Sequence, residues 1–278
     1  MLRSLWLKVP TVVLSIAAFW WLDGPLAVVA AAGIFVTGSA ILMALVLHPN
    51  ASLWAATLSR GRPETGAVSL TFDDGPDPAS TREVARVLAE HGVKATFFVV
   101  GERVEAHPDI VRELHEAGHL VCNHTHTHAV AVHFSLWSRA RRELRACNAA
   151  IAAVLGKEPT LFRSPQGIKN PALGDVIGEL DMTAIGWDVR GLDSMSDDAD
   201  AIERRVLRGA RPGSVIMLHD GTGLGGRDDR SATIEALPRI IEALRARDLR
   251  FVRLDELLEV EPYREPASSE TPRALATA

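Results

Sequence analysis

Two cysteines, Cys122 and Cys147, and a single tyrosine, Tyr263, are all that this chain of 278 residues holds of either type. Two cysteines allow one bridge at most, which excludes a disulfide framework and leaves the redox compartment open. Cys122 falls inside an apolar strand candidate, His119–Asn123, so a buried free thiol is the expectation. An excess of positive charge is also missing. Lys and Arg number 30 against 35 Asp and Glu, giving a formal net charge of −5 and a pI near 6.1. That balance argues against nucleic acid as a partner, which is met by a basic face.

Apolar sequence is abundant, and it is concentrated at the N-terminus. Val9–Leu22 and Leu26–Leu47 are apolar runs separated by the turn Asp23-Gly24-Pro25. The second exceeds the roughly 20 residues that cross a bilayer, and the first reaches that length with Leu2, Leu5, Trp6 and a snorkelling Lys8. Trp6, Trp20, Trp21 and Trp54 sit near the ends of these runs, as interfacial tryptophans do. A cleaved signal peptide is the competing reading, since Arg3 and Lys8 precede the first run. The expectation is a retained transmembrane helical hairpin over residues 1–50, followed by a linker over 51–65. Arg3, Lys8, Arg60 and Arg62 favour a cytoplasmic location for both flanks. Two spans then leave the following domain inside, and a single span leaves it outside. A fragment starting near Thr65 is expected to be soluble and to carry everything the chemistry needs.

From about residue 66 to 260 the pattern alternates short apolar strands with amphipathic helices. Strands are expected at Ala67–Phe72, Ala95–Val99, His119–Asn123, Thr160–Phe162, Met182–Ile185, Ser214–Leu218 and Phe251–Arg253. The longest helix is expected over Ser135–Leu155, with Leu136, Ala140, Leu144, Cys147, Ile151 and Leu155 at helical spacing. Alternation of this kind predicts an α/β fold with a parallel sheet. Residues 261–278, rich in Pro, Ser and Ala, are expected to be a disordered tail.

Chemistry-bearing residues gather just after these strands. Asp73 and Asp74 follow the first and lead into Gly75-Pro76. Successive strand residues point to opposite sides, so the two carboxylates can do different jobs, one binding a metal and one handling a proton. His124-Thr125-His126-Thr127-His128 follows the third strand. His at i and i+4 shares one face of a helical turn, and two imidazoles with one carboxylate leave positions open on a catalytic metal. His126 should then point elsewhere. Arg163-Ser164-Pro165-Gln166-Gly167, Trp187-Asp188 through Asp193-Ser194, and Leu218-His219-Asp220 complete the set.

With these segments in this order, the region from about Ala67 to Leu258 resembles the NodB-type polysaccharide deacetylases of carbohydrate esterase family 4. That family carries the motifs TFDDGP, HTxxH, RxPxG, an Asp-bearing segment and a final LHD-like segment. The resemblance implies a distorted, incomplete (β/α) barrel of about seven parallel strands. It implies a divalent metal, zinc first with Co, Mn or Ni as alternatives, held by Asp74, His124 and His128. It assigns Asp73 as general base, Arg163 as the partner of that base, and His219 as general acid. Asp193 best matches the carboxylate that orients the acid, with Asp188 as a rival. Gln166 stands where the family usually has Tyr. Its backbone N–H can still serve an oxyanion, but stacking on a sugar is lost. Leu218 matches the residue that shapes the acetyl pocket, and Trp187 is either core or pocket wall. The implied activity is removal of N-acetyl groups from the amino sugars of a polysaccharide, peptidoglycan or chitin-like. Deacylation of a lipid-linked sugar at the membrane, and an inactive membrane-anchored carbohydrate-binding module, are the alternatives.

Overall fold

The computed structural model describes residues 10, 12–17, 20–21, 24–50, 52–129, 136–223 and 229–266. Among them the first complete element is α1, Gly24–Leu47. Strands follow at β1 (Thr57–Leu58), β2 (Ala67–Asp73), β3 (Thr96–Val99), β4 (Leu120–Asn123), β5 (Glu158–Pro159), β6 (Leu161–Phe162), β7 (Thr183–Ile185), β8 (Val189–Arg190), β9 (Val215–His219), β10 (Arg250–Phe251) and β11 (Tyr263–Arg264). The helices between them are α2 (Thr81–Glu90), α3 (Gly101–Ala106), α4 (Pro108–Glu116), α5 (Trp137–Leu155), α6 (Pro171–Glu179), α7 (Ala199–Gly209), α8 (Ser231–Arg245) and α9 (Leu254–Leu258).

The main sheet runs β1-β7-β6-β4-β3-β2-β9-β8, with β10 joined to the start of β2, and every pairing in it is parallel. It curls into the expected incomplete barrel. The two end strands do not pair with each other, although an Arg60–Ser214 bridge lies between their neighbourhoods. The period-2 alternation of each strand divides the core. Val68, Leu70 and Phe72 of β2, with Phe97, Val121, Ile216 and Leu218, face outward under the helices. Ala67, Phe98, Cys122, Val215 and Met217 face inward, and Leu254 and Leu257 of α9 pack with them. Both cysteines are buried free thiols, Cys122 as expected. In this alternation Asp73 and His219 fall on the inward side. They are register partners on β2 and β9, the two longest strands.

α1 is apolar all round, with Leu26, Val29 and Val36 about two-thirds exposed, and Gly24–Ile41 is long and apolar enough to cross a membrane. Residues 12–17 and 20–21 of the preceding run are helical. Trp6, Lys8, Leu22 and Asp23, part of the expected hairpin, lie outside the described residues.

Two boundaries differ from expectation. The segment expected as a linker is part of the folded body. β1 within it pairs with β7, and Trp54 and Ala55 are buried. A free sheet edge needs a partner for its main-chain groups, and this segment supplies it. A fragment from Thr65 would therefore uncover β7 and the pocket of Trp54, so the cut that keeps the fold lies before His48. A fragment from His48 should melt several degrees above one from Thr65, in a comparison by calorimetry. The expected tail also begins too early. Tyr263–Arg264 pairs antiparallel with β5, and the Tyr263 hydroxyl accepts a hydrogen bond from the Val121 N–H at 2.9 Å. Residues 267–278 lie outside the described residues.

Candidate active site

The inner ends of β2, β4, β6 and β9 open on one cavity of about 290 Å³, lined by Asp73, Asp74, His124, His128, Gln166, Trp187, Met217 and His219 among others. Asp74 is the first residue beyond β2. Its left-handed backbone, φ 75°, turns its carboxylate away from the alternation that carries Asp73. The Oδ1 atom stands 3.3 Å from His124 Nε2 and 2.9 Å from His128 Nε2. All three residues are buried, and Oδ1 takes no hydrogen bond among the described residues. Three ligand atoms that approach one another without hydrogen-bond geometry face a common point, which fits a divalent cation. The His124 Nδ1 lies 2.8 Å from the Arg163 carbonyl, a partner that fixes the tautomer and turns Nε2 toward that point. Burial alone would raise the pKa of Asp74. The two histidines, and then His219, outweigh it and hold that carboxyl well below its usual range.

The histidines do not converge through a helical turn. Residues 124–128 form an irregular loop in which Thr125 and His128 have φ of 68° and 52°. The loop is tied to α5 by the buried Glu143 carboxylate, which accepts the N–H groups of His126 and Thr127 and the Thr127 hydroxyl. The Asn123 side chain accepts the Thr125 N–H, and the Thr125 hydroxyl accepts the His128 N–H. The two histidines at i and i+4 therefore do converge, but through a loop and not through a helical turn. The His126 ring packs beside Gly101 and lies outside the cavity.

On one side of the cluster Arg163, fully buried, donates to Asp73 Oδ1 and to the Thr71 hydroxyl, both at 2.7 Å, and to the Gly186 carbonyl at 3.1 Å. Its guanidinium lies 4.1 Å from the Phe98 ring centre and 5.6 Å from that of Trp187. Planar packing of this kind suits arginine and not lysine. On the other side His219 Nδ1 lies 3.0 Å from Asp193 Oδ1, and the His219 N–H donates to Asp193 Oδ2 at 2.8 Å. Burial opposes the charged imidazole. The Asp193 carboxylate, then Asp74 and Asp73, overcome it and raise the pKa of His219 to about 9. Asp193 is held below the usual carboxylate range by its facing His219, against the effect of burial. Asp188 points elsewhere: it accepts from the Ser214 hydroxyl and the Val215 N–H and faces Arg60 and Arg211.

Two pocket expectations shift. Leu218 lies under the helices against Gly191, because alternation along β9 sends it opposite to His219. Met217, two residues before His219, takes the inward position. Trp187 is both core and wall: it is 6 % exposed and lines the cavity. Gln166 also lines it, from a tight turn at φ 50°. The sequence reading did not select Glu143, Thr233, Arg230 or Arg103. Thr233 donates to Asp193 Oδ2, and Arg230 to the Asp193 carbonyl. Arg103 donates to the Asp74 carbonyl. Glu143 and Thr233 carried a signal, since each is a polar residue on an apolar helical stripe. Arg230 and Arg103 carried none.

Residues 60–185 match the family model for polysaccharide deacetylases. A chitooligosaccharide deacetylase of Sinorhizobium fredii is 39 % identical over 193 residues, which cover 67 % of this chain and 90 % of that protein. The chain belongs to the polysaccharide deacetylase family. A peptidoglycan-N-acetylglucosamine deacetylase of Bacillus cereus is 34 % identical over 193 residues, covering 69 % of this chain and 87 % of that one. Among solved structures, the Bc1960 peptidoglycan N-acetylglucosamine deacetylase superposes with a TM-score of 0.70 at 31 % identity, over 75 % of this chain and 95 % of that one. Polysaccharide deacetylases are hydrolases of amide bonds. The curled parallel sheet described above is the fold this chain shares with them.

Proposed function

We propose that this protein is a metal-dependent hydrolase that removes N-acetyl groups from the amino sugars of a polysaccharide, chitin-like or peptidoglycan. The observation that carries the reading is the arrangement around Asp74, His124 and His128. A carboxylate paired with a buried arginine flanks that cluster on one side, and a histidine paired with a buried carboxylate flanks it on the other. A divalent cation there, zinc or another first-row ion that accepts a His₂-carboxylate set, would supply Lewis acidity to the amide carbonyl and to a water. Asp73 takes a proton from that water as its oxygen bonds to the carbonyl carbon, and Arg163 keeps the carboxylate aimed. The developing oxyanion is met by the Gln166 N–H. The carbon–nitrogen bond then breaks as His219 gives its proton to the leaving nitrogen, releasing acetate and a free amine. A second reading, deacylation of a lipid-linked sugar, draws on the short chain between Leu47, where α1 ends, and Asn50, which already bonds to the cavity wall.

Acetate release from N-acetylated chito-oligomers, before and after chelation, tests the reading. An inactive carbohydrate-binding module would bind such oligomers and release nothing. The pH profile tests the Asp193 assignment. His219 must be protonated to act as acid, so activity falls as pH rises through its pKa. Asp193 raises that pKa, so Asp193→Asn should move the alkaline limb to lower pH, and Asp188→Asn should leave it in place. The opposite pattern would transfer the orienting role to Asp188.

A further inference from the structure

The wall of the cavity is braced by residues outside every motif named so far. Three residues after α1 ends, the Asn50 side chain lies against the main chain of Trp187. Its Nδ2 donates to the Trp187 carbonyl at 2.6 Å, and its Oδ1 accepts the Trp187 N–H at 3.2 Å. The pair of bonds copies a rung of sheet at Trp187, between Gly186, whose N–H bonds to Leu58, and Asp188, whose N–H bonds to Val215. Beside it, the buried Lys169 ammonium joins the Pro49 carbonyl at 2.6 Å to the Gly167 carbonyl at 3.1 Å. Pro49 is thereby tied to the turn that carries Gln166. The receiving surface is cut to fit. A Cβ on Gly186 would collide with Asn50 Oδ1, and one on Gly167 with Pro49 and the Trp187 ring. Only glycine admits main chain and side chain this closely. Trp187 lines the cavity and covers the Arg163 guanidinium, so its placement matters to the site.

We infer that Asn50 is a positioning residue of the active site: its carboxamide fixes the Trp187 main chain, and with it the apolar wall against which the substrate lies. The substrate site then includes residues 49–50, contributed by the segment that leaves the apolar helix. This rests on the reading of the cavity as the amino-sugar site. The substrate meets the wall in ground state and transition state alike, so loosening it acts on binding more than on the chemical step.

The test uses the full chain in detergent, loaded with zinc, on an N-acetylated chito-oligomer. Asn50→Ala should raise KM on the order of tenfold, the scale of one to two lost hydrogen bonds. Its kcat should stay within about threefold, with zinc content unchanged. Amide exchange at Trp187 should quicken, since Asn50 supplies the acceptor for that N–H. Asn50→Asp, which keeps the acceptor and loses the donor, should raise KM without that quickening. On a Trp187→Phe background, Asn50→Ala should add less than it does alone, because both act through one wall. The inference is overturned if KM and Trp187 exchange are unchanged in Asn50→Ala. It is also overturned if kcat and thermal midpoint fall together at constant KM, the sign of a merely structural contact. If the wild type releases no acetate while exchange still quickens in Asn50→Ala, the amino-sugar reading fails and the bracing of Trp187 stands.

Discussion

Asp73→Asn should retain one metal per chain and lose roughly two to four orders of magnitude in kcat, the usual contribution of a general base. The metal should stay because the three converging atoms belong to Asp74, His124 and His128, while Asp73 Oδ1 is turned to Arg163. Breaking a buried ion pair by removing one charge costs about 3–5 kcal/mol. Asn can still accept the Arg163 hydrogen bond, so the loss should fall at or below the lower end and the protein should remain folded. Circular dichroism and a zinc assay on the same sample separate the two effects. A folded, metal-free Asp73→Asn would exchange the roles of Asp73 and Asp74.

His219→Ala should lose turnover on the same scale, again with its metal, and should also lose the alkaline limb of the pH profile. The limb has a calculable window. The facing carboxylates raise His219 from its ordinary value of 6.5 to about 9 when no cation is bound. A divalent cation before Asp74 cancels that carboxylate's share and repels the imidazolium, so the working limb should lie between these two values. A His219→Ala profile that keeps the wild-type alkaline limb would assign it to another group.

The strands and the residues at their ends were legible because both obey short-range rules. Short, nearly continuous apolar runs gave β2, β4 and β9, buried on both faces, with side chains alternating between the faces. The register of a parallel sheet then brought Asp73 beside His219, 146 positions later in the chain. The family pattern puts Leu218 in the pocket, but strand alternation along β9 sends it outward and Met217 inward. The histidine loop was illegible for a different reason. Its left-handed residues, Thr125 and His128, bracket a segment held by Glu143 from α5, a partner that local spacing does not show. β1 is two residues long and exists only because β7 needs a partner, so its propensity alone announces nothing. Asn50 is silent for the same reason, since its meaning lies in Gly186 and Trp187, far along the chain.

The central claim is that one divalent cation, held by Asp74, His124 and His128, is what acetate release depends on. It is tested most directly by measuring zinc stoichiometry and acetate release on one preparation each of wild type, His126→Ala and His128→Ala, before and after chelation. Wild type and His126→Ala should each carry one zinc, release acetate, stop on chelation and resume when zinc is returned. His128→Ala should be folded, depleted of zinc and inactive. Equal zinc loss in the two variants, or acetate release that survives complete chelation, would contradict the account.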